Sequence, residues 1–367
     1  MTIRHGSDAT IGLRVASPGR VLDAAGARLH RPGIRRDVAD AILAPYGLRA
    51  TKRVRNLPAG RRNRSVAVPT PAGLKVLKRY RDQWAASTIV HEHSILRHLA
   101  SRGFPAVRVE STLSGDTFVE REDGRFALFA FEDGVNLAGF LLPLERRVRL
   151  WRLAGRLLAR FHRAMEGFAP EGRHHLGYRE PFGERSRDLA WHLGALEDLA
   201  RRPGPAVGAG SEADVRWLCG NAARIGERIL VLHEALVDVP LARSVIHGDY
   251  GLHNILFGRE GTPTLLDFEL ARSDWRLIDI VTVLSRVEAR RLARSFLDGY
   301  EAVAGPPGDE WRFLPDVWQF YRLSGAVQSW FTYARLGDAR RLATARERVE
   351  EADRISEDAT AAWGAAR

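Results

Sequence analysis

Val245-Ile246-His247-Gly248-Asp249-Tyr250-Gly251-Leu252-His253-Asn254-Ile255-Leu256-Phe257, then a turn from Gly258 to Thr262, then Pro263-Thr264-Leu265-Leu266-Asp267-Phe268-Glu269, is the stretch that decides how this chain folds. Two short apolar runs flank a glycine-containing turn, the pattern of a β-hairpin. Asn254 enters the first strand and Asp267 leaves the second. Antiparallel pairing brings those two ends together. Asp249 lies on the loop just before. A carboxylate, an amide oxygen and a second carboxylate therefore converge at one end of the hairpin. Hard oxygen donors of this kind suit Mg²⁺, which takes a few protein ligands alongside substrate phosphates.

The run H-x-D-x-x-x-x-N, an apolar strand and then L-D-F-E resembles the aminoglycoside phosphotransferase and choline kinase superfamily, small-molecule relatives of protein kinases. Within it, the text is most similar to the homoserine-kinase-like and spore-coat-kinase-like branch. The likeness is strongest over 74–105 and 244–280. It implies Asp249 as the catalytic base, or the group that orients the acceptor hydroxyl. It implies Asn254 and Asp267 as Mg²⁺ ligands, with ATP or GTP as phosphoryl donor.

Such a protein must also hold a nucleotide, and the basic residues are informative here. Of 56 Lys+Arg, only Lys52, Lys75 and Lys78 are lysine. Where arginine fills ordinary surface positions, a surviving lysine marks a place that needs an ammonium. In Leu74-Lys75-Val76-Leu77-Lys78, strand alternation puts Leu74, Val76 and Lys78 on one face. Lys78 then emerges from an apolar face and needs a partner. The next helix offers one, because Ile89, Glu92, Leu96 and Leu99 share a stripe. A buried Lys78–Glu92 pair is expected, matching the strand-lysine and helix-glutamate pair that positions phosphates in kinase folds. Lys75 is the runner-up and Lys52 is expected in solvent.

The loop Pro58-Ala59-Gly60-Arg61-Arg62-Asn63-Arg64 is not a G-x-G-x-x-G. Gly60 offers a flexible backbone and Asn63 a side-chain amide. The resemblance implies that this loop covers the nucleotide phosphates. His247 is expected to support the catalytic loop and Glu269 either to help hold metal or to orient the loop, and the resemblance implies Asp279 as the structural aspartate behind the loop. His253, the His91/His93 pair and the His174-His175 pair have no evident metal partner. Phe129–Glu132 reads as the linker between lobes.

Around these motifs the chain divides into a lead-in (1–34), a nucleotide-binding N-lobe (35–131) and a catalytic and acceptor-binding C-lobe (132–367). The expected class is α+β: a two-lobed, protein-kinase-like fold. A small lobe with an antiparallel sheet plus one helix joins a large, mainly helical lobe. A short amphipathic helix is expected over 35–47. Strands are expected at Thr51–Leu57, Ser65–Pro69, Leu74–Tyr80, Phe104–Thr112, Thr117–Glu120 and Arg125–Phe131, with a helix at Ala85–Arg102. Further helices are expected at Leu144–Met165, Glu212–Val237, Ile278–Tyr300, Glu310–Leu336 and Arg340–Trp363, with an irregular insertion at 168–210.

The formal net charge of +11 first suggests a polyanionic partner. Residues 1–100, however, hold 19 Lys+Arg against 6 Asp+Glu, and the remainder 37 against 39, so the excess belongs to one end. A single cysteine, Cys219, excludes an intramolecular disulfide and reads as buried filler. With no long apolar run and no signal-peptide pattern, a cytoplasmic protein without membrane contact is expected. Gly248 stands where protein kinases carry an arginine, and neither a D-F-G glycine nor an A-P-E stretch follows Asp267. The acceptor is therefore expected to be a small alcohol: an antibiotic, amino alcohol, sugar or nucleoside. It would lie between the insertion and the aromatic helices bearing Trp318, Tyr321, Trp330 and Tyr333. A catalytically idle kinase-like module and an arginine-rich nucleic-acid binder are the alternatives left open.

Overall fold

The computed structural model describes residues 34–57, 64–82, 84–174, 189–204, 209–259, 261–287, 289–306 and 308–362. The lead-in up to residue 33, Gly60 and Asn63 lie outside them. Helix α1 (Arg36–Leu43) precedes strands β1 (Arg55–Asn56), β2 (Arg64–Thr70) and β3 (Gly73–Arg79). Helix α2 (Ala86–Ser101) follows, then β4 (Val119–Arg121) and β5 (Gly124–Ala130). The strands form one antiparallel sheet in the order β1-β2-β3-β5-β4. Thr51–Leu57 supplies only a two-residue ladder, shorter than expected.

Both faces of this sheet are covered. Ile42, Leu43 and Tyr46 pack on Val66, Val68, Leu77 and Leu128, so α1 and the turn after it close the outer face. The inner face meets α2 through Ile89, Leu96 and Phe129. This corrects the reading of β3. Leu74 is 40% exposed, whereas Leu77, on the opposite face, is fully buried. Lys78 points inward because its face meets α2 and the cleft, not because Leu74 marks a core.

Phe104–Thr112 is not a strand. Its first half bonds to the C-lobe, with Val107 N donating to Leu265 O and Leu265 N to Pro105 O. Its second half bonds to β5, with Glu110 N donating to Leu128 O and Ala130 N to Arg108 O. Changing partner midway leaves two isolated bridges, and the segment becomes a stitch between the lobes.

Beyond the linker come β6 (Val135–Asn136), α3 (Leu144–Ala164), α4 (Leu189–Arg201) and α5 (Ala209–Leu236). Helix α4 lies within the expected irregular insertion. His192, Ala195, Leu196 and Leu199 give it a buried stripe, which its glycine- and arginine-rich flanks conceal in the sequence. Next are β7 (Arg243–Ile246), β8 (Ile255–Phe257), β9 (Pro263–Leu265) and β10 (Arg272–Trp275). The helices α6 (Leu277–Leu284), α7 (Arg290–Ala304), α8 (Leu314–Leu336) and α9 (Ala339–Ala362) complete the order. The single helix expected at Ile278–Tyr300 is thus two. All eight residues of α6 are buried, and the chain turns out at Ser285-Arg286 before the amphipathic α7 begins. Helices α3 and α7 meet at glycines: a Cβ on Gly155 would fall 1.9 Å from Phe296 O, and one on Gly299 2.0 Å from Arg152 O. Trp330 and Tyr333 are buried core, while Cys219 is half-buried against it. Among the described residues no helix is long and apolar enough to cross a membrane.

Candidate active site

The quoted stretch folds as its pattern predicts. Strand β8 pairs with β9 in the register Ile255↔Leu265, Leu256↔Thr264, and β6 joins on the other side. Leu266 N donates to Asn254 O at 2.9 Å, which closes the hairpin mouth and sets Asn254 beside the chain leading to Asp267. Asn254 Nδ2 donates to Asp249 O at 2.9 Å, so the loop is clasped to the hairpin.

The loop itself is anchored from behind. Asp279, fully buried on α6, accepts the N–H groups of His247 and Gly248, each at 2.8 Å, and His162 Nε2–H at 3.0 Å. Burial alone would raise the Asp279 pKa; the His162 hydrogen bond and the nearby imidazoles lower it instead, so it stays ionised. His247 donates Nε2–H to Leu266 O at 2.9 Å and accepts Asp249 N–H at Nδ1, joining the loop to the strand before Asp267. Burial lowers its pKa and keeps it neutral. Gly248 has φ +76°, and a Cβ there would sit 2.3 Å from Leu270 O. That excludes a side chain at this position.

Lys78 and Glu92 meet as expected, Nζ to Oε1 at 2.9 Å, both buried. The same ammonium lies 3.1 Å from Glu269 Oε1, so Lys78 joins β3 to α2 and to the turn after Asp267. Burial would lower the Lys78 pKa, but Glu269 and Glu92 more than offset it and the ammonium stays protonated. Tyr80 and His93, read as ordinary residues, turn out to orient Glu92. Tyr80 O–H donates to Glu92 Oε2 at 3.0 Å and accepts His93 Nε2–H at 2.9 Å, while His93 Nδ1 accepts the Thr117 hydroxyl at 2.8 Å. That chain requires a neutral imidazole, and burial pushes the His93 pKa down to about 3. Lys75, on the other face, pairs with Glu110 at 2.5 Å, and Lys52 is exposed.

Asp267 stands between these two halves. Its φ of +60° makes it the one non-glycine residue in the left-handed region among those described. Such backbone costs on the order of 1–3 kcal/mol and persists where surroundings impose it. Burial pushes its pKa up to about 7, helped by Glu269, Glu92 and Asp249 and opposed by Lys78. Glu92 and Glu269 thus share the Lys78 ammonium beside Asp267 in a buried cleft. Carboxylate oxygens gathered there suit a divalent cation, and Asp267 and Asn254 are the residues that could hold it. No group of three or more His, Cys, Asp or Glu among the described residues has metal-binding geometry. His91 bonds instead to Ala271 O, and its ring lies tilted at 57° against that of His174.

Two further groups touch Asp249. Arg286 donates to its Oδ1 at 2.6 Å, and His253 Nε2 lies 3.5 Å from Oδ2. Burial would raise the Asp249 pKa, but these partners hold it well below the carboxylate range. Asn136 on β6 donates to the carbonyls of Leu252 and His253, bracing the turn from the linker side. Neither Arg286 nor Asn136 carries a sequence signal, since each acts across a long loop.

A two-lobed kinase-like fold with this cleft defines the class. A family model described as the phosphotransferase enzyme family matches residues 53–316, and the chain belongs to that family. It is 28% identical to a homoserine kinase of Rhodospirillum rubrum over 231 residues, 60% of this chain, and spans 62% of that relative's length. Among solved structures it resembles the spectinomycin phosphotransferase APH(9)-Ia in complex with ADP and spectinomycin. That match has a TM-score of 0.62 and 13% identity, covering 89% of this chain and 99% of that one. A microcompartment-associated aminopropanol kinase gives a TM-score of 0.62 at 19% identity, covering 88% and 98%. At these identities the structures share the fold.

Proposed function

We propose that this chain transfers the γ-phosphoryl group of ATP or GTP to the hydroxyl of a small molecule, with Mg²⁺. The observation that carries the reading is the charge around Asp267, whose carboxyl is set among Lys78, Glu92, Glu269 and Asp249 in one buried cleft. In this reading 35–131 is the nucleotide lobe and 132–367 the acceptor lobe. Lys78 positions the α- and β-phosphates, and Glu92, held by Tyr80, keeps its ammonium aimed. Asn254 and Asp267 hold Mg²⁺, which when bound neutralises phosphate charge. Asp249 accepts the acceptor's O–H and fixes its oxygen in line with the γ-phosphorus. Its low pKa suits orientation more than early proton removal, in keeping with the loose transition state of phosphoryl transfer. His247, Gly248 and Asp279 keep the loop in place. The range of acceptors is broad, because amino alcohols, sugars, nucleosides and antibiotics all present a suitable hydroxyl.

The test is a phosphorylation screen of purified protein with ATP and GTP against those acceptors. Asp249→Ala, which removes the accepting oxygen, is expected to lower turnover by at least about 10²-fold with nucleotide affinity retained. Near-wild-type turnover in that variant defeats the assignment.

A further inference from the structure

Arg286 lies in the break between α6 and α7, with its guanidinium against the loop that carries Asp249. It reaches Asp249 Oδ1 at 2.6 Å and Tyr250 O at 3.3 Å, and stands 3.5 Å from His253 Nε2. Its side chain is still 42% exposed. Beside it opens a cavity of about 130 Å³ walled by Leu137, Leu142, Trp151 and Leu252, and the charged residues of that wall are Arg286 and Arg147. No carboxylate is among the described residues that line it.

An acceptor hydroxyl held by Asp249 leaves the rest of its molecule within a few ångströms of Arg286. A guanidinium presents five N–H donors in a planar fork that fits carboxylate and phosphate oxygens. Placed between Asp249 and an acceptor's anionic group, it bonds to both and removes the repulsion between them. A cationic acceptor would instead meet Arg286 as a like charge beside Asp249. We propose that Arg286 forms an anion subsite, and that this protein selects hydroxy compounds bearing a carboxylate or phosphate group close to the reacting hydroxyl. This rests on the phosphotransferase reading and narrows its acceptor class.

The test uses acceptors that differ in the group beside the hydroxyl: homoserine, homoserine amide and 3-aminopropan-1-ol, then glycerate, glycerol 3-phosphate and glycerol. Wild-type protein is expected to favour an anionic member over its matched partners by at least about tenfold in kcat/KM, carried mainly by KM. The first set reads carboxylate, and the second separates carboxylate from phosphate. Arg286→Gln is expected to bring the ratio within about threefold of unity, and Arg286→Lys to retain part of the preference. Equal or better use of the neutral or cationic members by wild type overturns the proposal. So does a fall in kcat that Arg286→Gln imposes equally on every acceptor, which would make Arg286 a positioning residue for Asp249 alone. Product from neutral or cationic probes only would overturn the anion subsite and leave phosphoryl transfer standing. If no probe yields product, calorimetric binding with Mg²⁺ and a non-hydrolysable ATP analogue decides. Heat from an anionic probe that disappears in Arg286→Gln supports the subsite, and no heat from any anionic probe overturns it.

Discussion

Asp279 Oδ1 accepts the backbone N–H of Gly248 at 2.8 Å, from a carboxylate that is fully buried on α6. The same side chain holds the N–H of His247 and the imidazole of His162. The loop bearing Asp249 is therefore suspended from a helix in the core. Asparagine at 279 keeps the shape but replaces one acceptor oxygen with a donor, which would face an N–H. Asp279→Asn is expected to lower stability by about 3 kcal/mol, as for other buried charged groups deprived of their complement. Urea unfolding measures this. A loss below about 0.5 kcal/mol would show that the loop holds its shape unaided.

Lys78 is shared by two carboxylates from different elements, Glu92 on α2 and Glu269 beyond Asp267. Lys78→Met leaves both of them buried around Asp267 without their ammonium. A destabilisation of about 3–5 kcal/mol is expected. The double variant Lys78→Met/Glu269→Gln should recover more than about 1 kcal/mol of it, since one uncompensated charge is gone. Strict additivity in this cycle would mean that Glu269 does not feel Lys78.

Much of this site is legible in the sequence, and the reasons differ by residue. The spacing of Asp249, Asn254 and Asp267 survives folding because a tight hairpin converts sequence order directly into proximity. The Lys78–Glu92 pairing follows from two short periodicities, one of strand and one of helix, and from the rarity of lysine. Glu269, Arg286 and Asn136 reach their partners across the cleft or a long loop, and no local pattern encodes such contacts. Phe104–Thr112 has strand composition, but its backbone divides its hydrogen bonds between two lobes. Helix α4 is hidden by its flanks. The break after α6 carries neither glycine nor proline, so a continuous helix was the natural expectation there.

Asp267 makes stability depend on pH in a direction opposite to most carboxylates. Its pKa stands at about 7 in the fold against 3.8 ordinarily, because of burial and then the charge of Glu269. A group raised in the folded state contributes stability that is complete below its unfolded pKa and is lost as pH rises through the folded one. The window is thus pH 4 to 7, with a slope approaching about 1.4 kcal/mol per pH unit. His93, pushed down to about 3, acts in the other direction but is common to wild type and variant. The stability difference between wild type and Asp267→Asn, measured in EDTA, should therefore shift against wild type from pH 5 to pH 8. Parallel profiles would contradict the raised pKa. Added Mg²⁺ should restore wild type at pH 8 and leave the variant little changed.

Helix α1 lies upstream of the family match yet completes the core of the N-terminal lobe. Leu43 and Ile42 are fully buried against Val66, Val68, Leu77 and Leu128. Leu77 is the neighbour of Lys78 on β3, so the outer core supports the strand that carries the ammonium. Leu43→Ala removes buried methyl groups from the core between α1 and the outer face of the sheet, and should cost about 2–5 kcal/mol. A loosened β3 should also misplace Lys78, raising the KM for nucleotide more than the KM for acceptor. Urea unfolding together with initial rates at varied nucleotide concentration reads both effects. A stability loss under about 1 kcal/mol with an unchanged nucleotide KM would mean that the sheet keeps its form without α1, and that the apolar outer face is only loosely covered.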